Sequence, residues 1–368
     1  MPIRRSRGYA PFPQTLPEKG PSLLSTGAEL KNTFCLTKDT YAFFSQHIGD
    51  LKNYETLRTF ENSIEHFERL FRVTPEAIIC DKHPNYLASM YARERAQREN
   101  LPLIEVQHHH AHIASCMGDN NDLGQDPVIG VAFDGTGYGE DGAIWGGEIL
   151  IADYQGYHRA YHLEYIPLPG GDQAIKEPWR IALATLYTLG LDWASHLAPV
   201  RHAENQDAKN MFAQPLDILR RQLEERINTP YTSSMGRLFD AVSALLGIRQ
   251  VIDYEAQAAI ELESLAIPEE EESYPFPIHA SGTIELTPAI LTNIKRGVSA
   301  SIISSRFHNG LAEMVDNICR SLREEHNINT VALSGGVWQN ITLLEKTVPL
   351  LRKSEFTVLT HQNVPPND

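Results

Sequence analysis

Apolar positions along the chain follow two periodicities, and together they predict a mixed α/β protein. Between Leu57 and Phe71, apolar side chains recur at helical spacing with charged residues between them, which predicts an amphipathic helix. Short apolar runs at 75–81, 103–106 and 128–133 predict buried strands, and a polar helix is expected at about 84–100. This order of elements is typical of helices packed on a mixed sheet.

Composition divides the chain into three parts. Residues 1–20 are rich in proline and glycine, which predicts a linker without regular structure. Residues 21–123 are expected to form an N-terminal lobe, and a polar stretch marks its boundary with a C-terminal lobe at 124–368. Helices of the second lobe are expected at 173–189, 216–226, 235–246, 255–265, 306–326 and 339–350. The two lobes are expected to be similarly built, although no internal sequence repeat is visible.

Four histidines stand where the strand at 103–106 joins an apparent helix. His108 and His112 are four residues apart, so their Cβ atoms lie ~6 Å apart on one helical face and can share a metal ion. The alternatives are an affinity tag or solvated surface histidines, but the run is internal, interrupted and flanked by apolar segments. Imidazole ligands favour iron or zinc over magnesium. Two histidines do not complete a site, so carboxylates must come from elsewhere.

Two glycine-rich turns follow buried strands. The first, DGTGYG at 134–139, has alternate glycines that favour a phosphate-binding turn, whereas Asp-Gly and Tyr-Gly are equally typical of a β-hairpin. The second, Ser334-Gly335-Gly336, lies between a strand and a helix, where a nucleotide can approach a helix N-terminus. Its alternative is a tight βα turn that needs a positive φ angle. Each motif by itself leaves both interpretations open.

Charge and cysteine content narrow the function classes. With 32 basic and 47 acidic residues the net charge is −15, which disfavours nucleic acid as a partner. No apolar run reaches the ~18 residues of a membrane span, so no membrane partner is expected. The four cysteines are scattered without a CxxC pair, which excludes a cysteine zinc site and fits a reducing cytoplasm. A soluble cytoplasmic protein is expected.

The chain resembles the HypF family, the carbamoyltransferases of [NiFe]-hydrogenase maturation, in six motifs: AFDGTGYGEDGAIWGGE, VQHHHAHIASCM, GAELKNTFCL, SSMGRLFDAVSALLG, ALSGGVWQN and VPPND. The resemblance extends from about Ser22 onward and corresponds to the family's C-terminal, threonylcarbamoyl-transferase-like part. IRRSRGYAPFP resembles the end of a preceding YrdC-like domain, so residues 1–20 are expected to be its remnant and a linker.

The resemblance implies a two-lobed fold of the actin and sugar-kinase type, a duplicated ribonuclease-H-like fold with a nucleotide in the cleft between the lobes. It implies one divalent metal, iron or zinc with magnesium as a further candidate ion, and ATP or carbamoyl-adenylate. The implied metal ligands are His108, His112, Asp134 and Asp368, the first three of which are also the implied catalytic residues. The implied nucleotide contacts are Asp134, Gly135, Thr136, Gly137, Lys176, Glu255, Gly335, Gly336 and Asn340. The family more often has glycine where this chain has Ala256.

The implied activity is transfer of a carbamoyl group from carbamoyl-adenylate, made from carbamoyl phosphate and ATP, to the C-terminal cysteine thiol of HypE. This step belongs to the synthesis of the cyanide ligands of [NiFe]-hydrogenase. A tRNA threonylcarbamoyl transferase is one alternative, since it shares the fold and the histidine pair, but its typical Ser-Gly-Gly loop stands where this chain has DGTGYG. A non-catalytic nucleotide-binding module that docks HypE is the other.

Overall fold

Two β-sheets with helices on their faces make up the computed structural model of this chain, which describes residues 12–207 and 215–367. The elements of the first half are β1 (Gln14–Gly20), β2 (Leu23–Ser25), β3 (Cys35–Phe44), α1 (Tyr54–Phe71), β4 (Ala77–Asp81), α2 (Leu87–Glu99), β5 (Leu103–Val106) and α3 (His108–Asp119). Helix α1 begins where the Asn53 side chain accepts a hydrogen bond from the backbone N–H of Thr56. It buries Phe60, Ile64 and Phe67 at the spacing that the sequence predicts.

The second half is larger and richer in helices. Its strands are β6 (Val128–Phe133), β7 (Gly147–Ala152), β8 (Tyr157–Leu163), β9 (Ile166–Pro167), β10 (Tyr231–Thr232), β11 (Thr283–Ile284), β12 (Thr330–Ser334) and β13 (Thr357–Leu359). Its helices are α4 (Asp172–Lys176), α5 (Pro178–Thr188), α6 (Ala198–Asp207), α7 (Pro215–Glu225), α8 (Met235–Leu245), α9 (Gln257–Glu263), α10 (Ala289–Lys295), α11 (Ala300–His326) and α12 (Ile341–Lys353), with a 3₁₀ turn at Gly336–Gln339. No helix in the described residues is long and apolar enough to span a membrane.

The two large sheets share one topology. In the first, of strand order β1-β3-β2-β4-β5, strands β2, β4 and β5 are parallel, and β3 and β1 continue the sheet antiparallel. In the second, of order β11-β8-β7-β6-β12-β13, strands β6, β12 and β13 are parallel, and β7 and β8 continue it antiparallel. This shared arrangement confirms the prediction of two similarly built α/β lobes.

Three local predictions differ from the structure. Residues 14–20 are not irregular, because β1 pairs antiparallel with β3. Pro17 is compatible with this strand because it lies at the sheet edge, where its missing N–H removes no central hydrogen bond. The helix expected at 173–189 is divided into α4 and α5, since Pro178 cannot continue the first and begins the second. Runs at 32–37 and 41–45 predict two separate short strands, but Cys35–Phe44 forms the single strand β3.

Helix α3 connects the two halves. It follows the last strand of the first sheet, yet its apolar face packs on the second sheet. Ile113, Cys116 and Met117 of α3 are fully buried against a cluster that includes Val128 and Leu150. The lobe boundary between residues 123 and 124 stays a prediction. The packing of α3 matters for function because it holds the histidine-bearing helix against the ends of β6 and β12.

Candidate metal and nucleotide site

The first turn of α3 presents the histidine pair. The helix begins after Gln107, whose side chain accepts a hydrogen bond from the backbone N–H of His110 at 3.0 Å. His108 and His112 are both buried, and their ring centroids lie 4.8 Å apart. The helical spacing that the sequence predicts is therefore present, with both rings on one face.

Asp134, at the end of β6, supplies the carboxylate that the histidine pair requires. Its Oδ2 atom lies 3.3 Å from His108 Nε2 and 3.2 Å from His112 Nε2. Burial alone raises the pKa of Asp134, but hydrogen bonds and charge interactions with the two histidines outweigh it, so the pKa lies well below its usual range. The carboxylate is thus ionised and directed at the two imidazoles.

These three side chains fit a divalent metal ion. One ligand atom from each of His108, His112 and Asp134 lies within 4.8 Å of the other two. Two imidazole nitrogens and a carboxylate oxygen are a donor set that zinc and iron accept in proteins. The geometry therefore supports the metal centre expected from the sequence, with further coordination positions left for other ligands.

A second carboxylate orients His108. Asp81, the last residue of β4, places its Oδ2 atom 3.0 Å from His108 Nδ1 and accepts a hydrogen bond from the backbone N–H of His83. When Nδ1–H donates to Asp81, the lone pair of Nε2 is free for a metal, which is the usual arrangement around ligating histidines. Sequence reasoning did not assign Asp81 to the site. The sequence feature that could have identified Asp81 is its position as an acidic residue at the end of a buried strand.

His112 is oriented from the other side by a chain of polar residues. Its Nδ1 atom lies 3.4 Å from Ser334 Oγ, which lies 2.8 Å from His361 Nε2. On the far side, His361 Nδ1 is 3.7 Å from Asp119 Oδ2. Burial lowers the pKa of His361 to about 4, so this ring is neutral at physiological pH. Neither Ser334 nor His361 stood out as a site residue from the sequence.

Both glycine-rich turns meet at Asp134. Its Oδ1 atom accepts hydrogen bonds from the backbone N–H groups of Gly135, at 2.8 Å, and Gly336, at 3.1 Å. Gly335 has a φ angle of 107°, and a β-carbon there would lie 2.2 Å from the carbonyl oxygen of Phe133. The tight-turn interpretation of Gly335 is therefore confirmed, and the same turn also holds the Asp134 carboxylate in place.

The first turn is a β-hairpin that joins the antiparallel strands β6 and β7. The backbone N–H of Trp145 donates to the carbonyl of Gly137, and that of Gly139 donates to Ala143. A β-carbon at Gly137 would lie 2.3 Å from the His109 ring, so only glycine allows this close approach to α3. Thr136 is half-buried in the same turn. The hairpin interpretation is confirmed, while a phosphate-binding role of the turn stays a prediction.

The remaining predicted residues are more dispersed. Lys176 is exposed at the end of α4. Glu255 forms an ion pair with Lys31 at 3.0 Å. Asn340 caps α12 by accepting from the backbone N–H of Leu343, and its amide nitrogen lies 3.0 Å from His308 Nε2. Their nucleotide contacts stay predictions.

Asp368, the fourth implied metal ligand, lies outside the described residues, but the segment before it borders the site. The backbone N–H of Gly335 donates to the carbonyl of Pro366 at 2.9 Å. The Cβ atom of Asn367 is 3.7 Å from the position that a β-carbon on Gly336 would occupy. Ligation by Asp368 stays a prediction.

Comparison with known families gives two matches that together span most of the chain. Residues 18–119 match the HypF Kae1-like domain. Residues 130–368 match the second subdomain of the carbamoyltransferase Kae1-like domain. Residues 120–129, between the two matches, include the connection from α3 to the start of β6.

Several known proteins are similar over most or all of the chain. The carbamoyltransferase HypF of Synechocystis sp. is 39% identical over 100% of this chain and 48% of its own length. A HypF homolog of Cupriavidus necator is 34% identical over 89% of this chain and 84% of its own length. A crystal structure of full-length HypF in the phosphate- and nucleotide-bound form is 43% identical, with a TM-score of 0.87 over 99% of this chain and 56% of that one. The chain thus spans about half the length of most of the curated relatives it matches.

Proposed function

This chain belongs to the HypF carbamoyltransferase family, and we propose that its site passes a carbamoyl group from carbamoyl-adenylate to the C-terminal cysteine thiol of HypE. The product is a precursor of the cyanide ligands of [NiFe]-hydrogenase. The observation that carries the proposal is the position of Asp134, which faces His108 and His112 with one oxygen and both glycine turns with the other. The Asp134 carboxylate thus contacts both the proposed metal ligands and the two glycine turns that we propose to bind the nucleotide.

His108, His112 and Asp134 would hold the metal, with Asp368 as a further proposed ligand. Iron and zinc suit this donor set better than magnesium. Such an ion supplies Lewis acidity, which polarises an acyl or phosphoryl oxygen and stabilises the charge that develops on it. Asp81 and Ser334 keep the two imidazoles aligned, so the ligands need little rearrangement on binding.

In the proposed reaction, a new bond forms between the cysteine sulfur of HypE and the carbamoyl carbon. The bond between that carbon and the phosphate oxygen of the adenylate breaks, AMP departs as an anion, and the thiol proton goes to solvent. Residues of the two glycine turns and Glu255 are the proposed contacts to the phosphate and ribose. The nucleophile comes from the partner, so Cys35, Cys80, Cys116 and Cys319 need no catalytic role.

We also propose that the reaction takes place in the cytoplasm. All four cysteines lie in the described residues and are free thiols, as is usual in a reducing compartment. Burial raises the pKa of the Cys35 thiol to about 12 and that of Cys80 to about 11, so both stay protonated and unreactive.

The direct test supplies the purified chain with synthetic carbamoyl-adenylate and HypE, and measures carbamoylation of the HypE cysteine by mass spectrometry. We expect transfer by the wild-type chain loaded with zinc or iron. The variant His112→Ala should lose both stoichiometric metal and transfer. His47→Ala is the matched control because His47 is an exposed histidine remote in sequence from the site. Absence of HypE carbamoylation by wild-type chain with bound metal and nucleotide would contradict the proposal.

A further inference from the structure

Arg237 is a buried arginine that stands directly against the metal-binding loop. It lies in the first turn of α8, whose N-cap residue Ser234 donates its hydroxyl to the carbonyl groups of Asp134 and Gly135. The Arg237 side chain is only 7% exposed. Its Nη2 atom lies 3.8 Å from the point that a β-carbon on Gly135 would occupy. The guanidinium group therefore faces the loop that contains Asp134.

The hydrogen-bonding capacity of Arg237 is incompletely used. A guanidinium group carries five N–H donors, and Arg237 has an ion pair with Asp240 at 3.0 Å while its Nε atom has no hydrogen-bond partner. Both oxygens of Asp240 also lack a hydrogen bond. By contrast, Arg95 has similar burial and donates to Glu99, Tyr91 and Glu68. Because a buried charge with unused donors is costly, Arg237 is an unusual group to retain for stability alone.

The position of Arg237 matches one part of an acyl-adenylate. Asp240 lies one helical turn further along α8, and burial is the main cause that raises its pKa to about 6, with Arg237 opposing the rise and Glu255 adding to it. The Arg237 guanidinium group therefore lies beside the Asp134 loop, which is the proposed reacting end of the site, and Asp240 holds it from the other side. In carbamoyl-adenylate an oxygen of the phosphate is bonded to the carbamoyl carbon, so a cation beside the proposed reacting end is well placed to contact the phosphate.

We propose that Arg237 binds the phosphate of the adenylate by charge-assisted hydrogen bonds and so selects a phosphorylated nucleoside over a free nucleoside. This inference rests on the proposed function and adds a binding residue to the same site. The backbone N–H groups of the first turn of α8 do not compete for this role. Those of Met235, Gly236 and Arg237 already donate to Gly146, Asp134 and Ser234. The side chain of Arg237 is thus the donor that α8 offers to an anion, and its planar fork suits a phosphate.

The test compares AMP with adenosine by calorimetry on the full chain with saturating zinc. For the wild-type chain we expect AMP to bind more tightly than adenosine. In Arg237→Met, which keeps the length of the side chain without its charge, this preference should fall by about tenfold or more. The affinity for adenosine should change little, which shows that the variant is folded. Arg237→Lys should keep part of the preference, since it restores charge without the bidentate geometry.

Arg95→Met is the matched control, because it also removes a buried guanidinium group and should leave the AMP preference unchanged. An unchanged preference in Arg237→Met would overturn the inference and leave Arg237 as the counter-ion of Asp240. Failure of the wild-type chain to bind either ligand is a different result. It would overturn the proposed nucleotide site itself, and with it this inference.

Discussion

At the scale of single residues, Ala256 is held in a conformation that its side chain disfavours. It is the N-cap of α9 with a φ angle of 61°, in the left-handed region. Ala256→Gly should therefore raise the free energy of unfolding by about 0.5–1 kcal/mol, since glycine adopts this region without a steric penalty. Urea unfolding measures the change. Ala259→Gly, in the interior of the same helix, should lower stability by about 1 kcal/mol. Equal effects in both positions would contradict the strain at Ala256.

Three residues around the histidine pair lie at the carboxyl ends of strands. Asp81 and Ser334 are the last residues of β4 and β12, and Asp134 directly follows β6. The carboxyl ends of β4, β6 and β12 thus supply the groups around the histidine pair. In α/β sheets this is the usual edge for a ligand site, because the chain leaves each strand there in a turn that is free to vary.

At the scale of elements, Asp119 fastens the C-terminal segment to the histidine helix. From the end of α3, its carboxylate accepts hydrogen bonds from the backbone N–H groups of Gln362, Asn363 and Val364. The same segment continues to Pro366, which is bonded to Gly335. Helix α3 therefore carries His108 and His112, the proposed metal ligands, at its start and the residue that holds this segment, Asp119, at its end.

Asp119→Asn should loosen residues 362–364 and weaken metal binding. An amide accepts these hydrogen bonds less strongly than a carboxylate, so we expect faster amide exchange in the segment. The dissociation constant for zinc should increase by about tenfold, as is typical when groups behind the ligands are lost. Competition with a chromogenic chelator measures the affinity. Asp122→Asn is the control, since Asp122 accepts from Gly124 instead. Wild-type zinc affinity in Asp119→Asn would show that the segment is positioned independently of Asp119.

At the scale of the whole molecule, we expect the buried neutral His308 to make the free energy of unfolding depend on pH. His308 on α11 donates from Nδ1 to the carbonyl of Ser304 at 2.7 Å and accepts at Nε2 from Asn340 at 3.0 Å. Burial lowers its pKa from 6.5 to about 4. The unfolded chain binds this proton below pH 6.5 and the folded chain does not, so stability is lost as the pH falls from 6.5 towards 4.

His308→Gln should flatten this part of the stability profile. The shift of the His308 pKa corresponds to a loss of roughly 3 kcal/mol in the free energy of unfolding between neutral pH and about pH 4. Urea unfolding at pH 7, 5.5 and 4.5 measures how steeply the free energy of unfolding falls with pH. We expect this dependence to be shallower in the variant, whatever the variant's stability at neutral pH. His326→Gln is the control because His326 is exposed at the end of α11. A slope equal to that of the wild-type chain would mean that His308 is not the responsible group.

By itself, the sequence determined what depends on neighbours along the chain. The periodicity around α1 predicts its helix, the run at 128–133 has the same bounds as β6, and the spacing of His108 and His112 places both on one face. The motifs were also sufficient to identify the family, because they are contiguous stretches whose chemistry is readable without the fold.

Tertiary structure alone decided what depends on residues far apart in sequence. Asp81 reaches His108 across 27 positions, and Gly336 reaches Asp134 across 202. The edge strand β1 forms in a proline-rich segment because β3 offers it a partner, which local composition does not show. The burial of Arg237 beside the Asp134 loop, with its Nε atom lacking a hydrogen-bond partner, results from the packing of α8 and cannot be read from the sequence. Local patterns encode which element forms, whereas burial and pairing between elements decide which side chains meet.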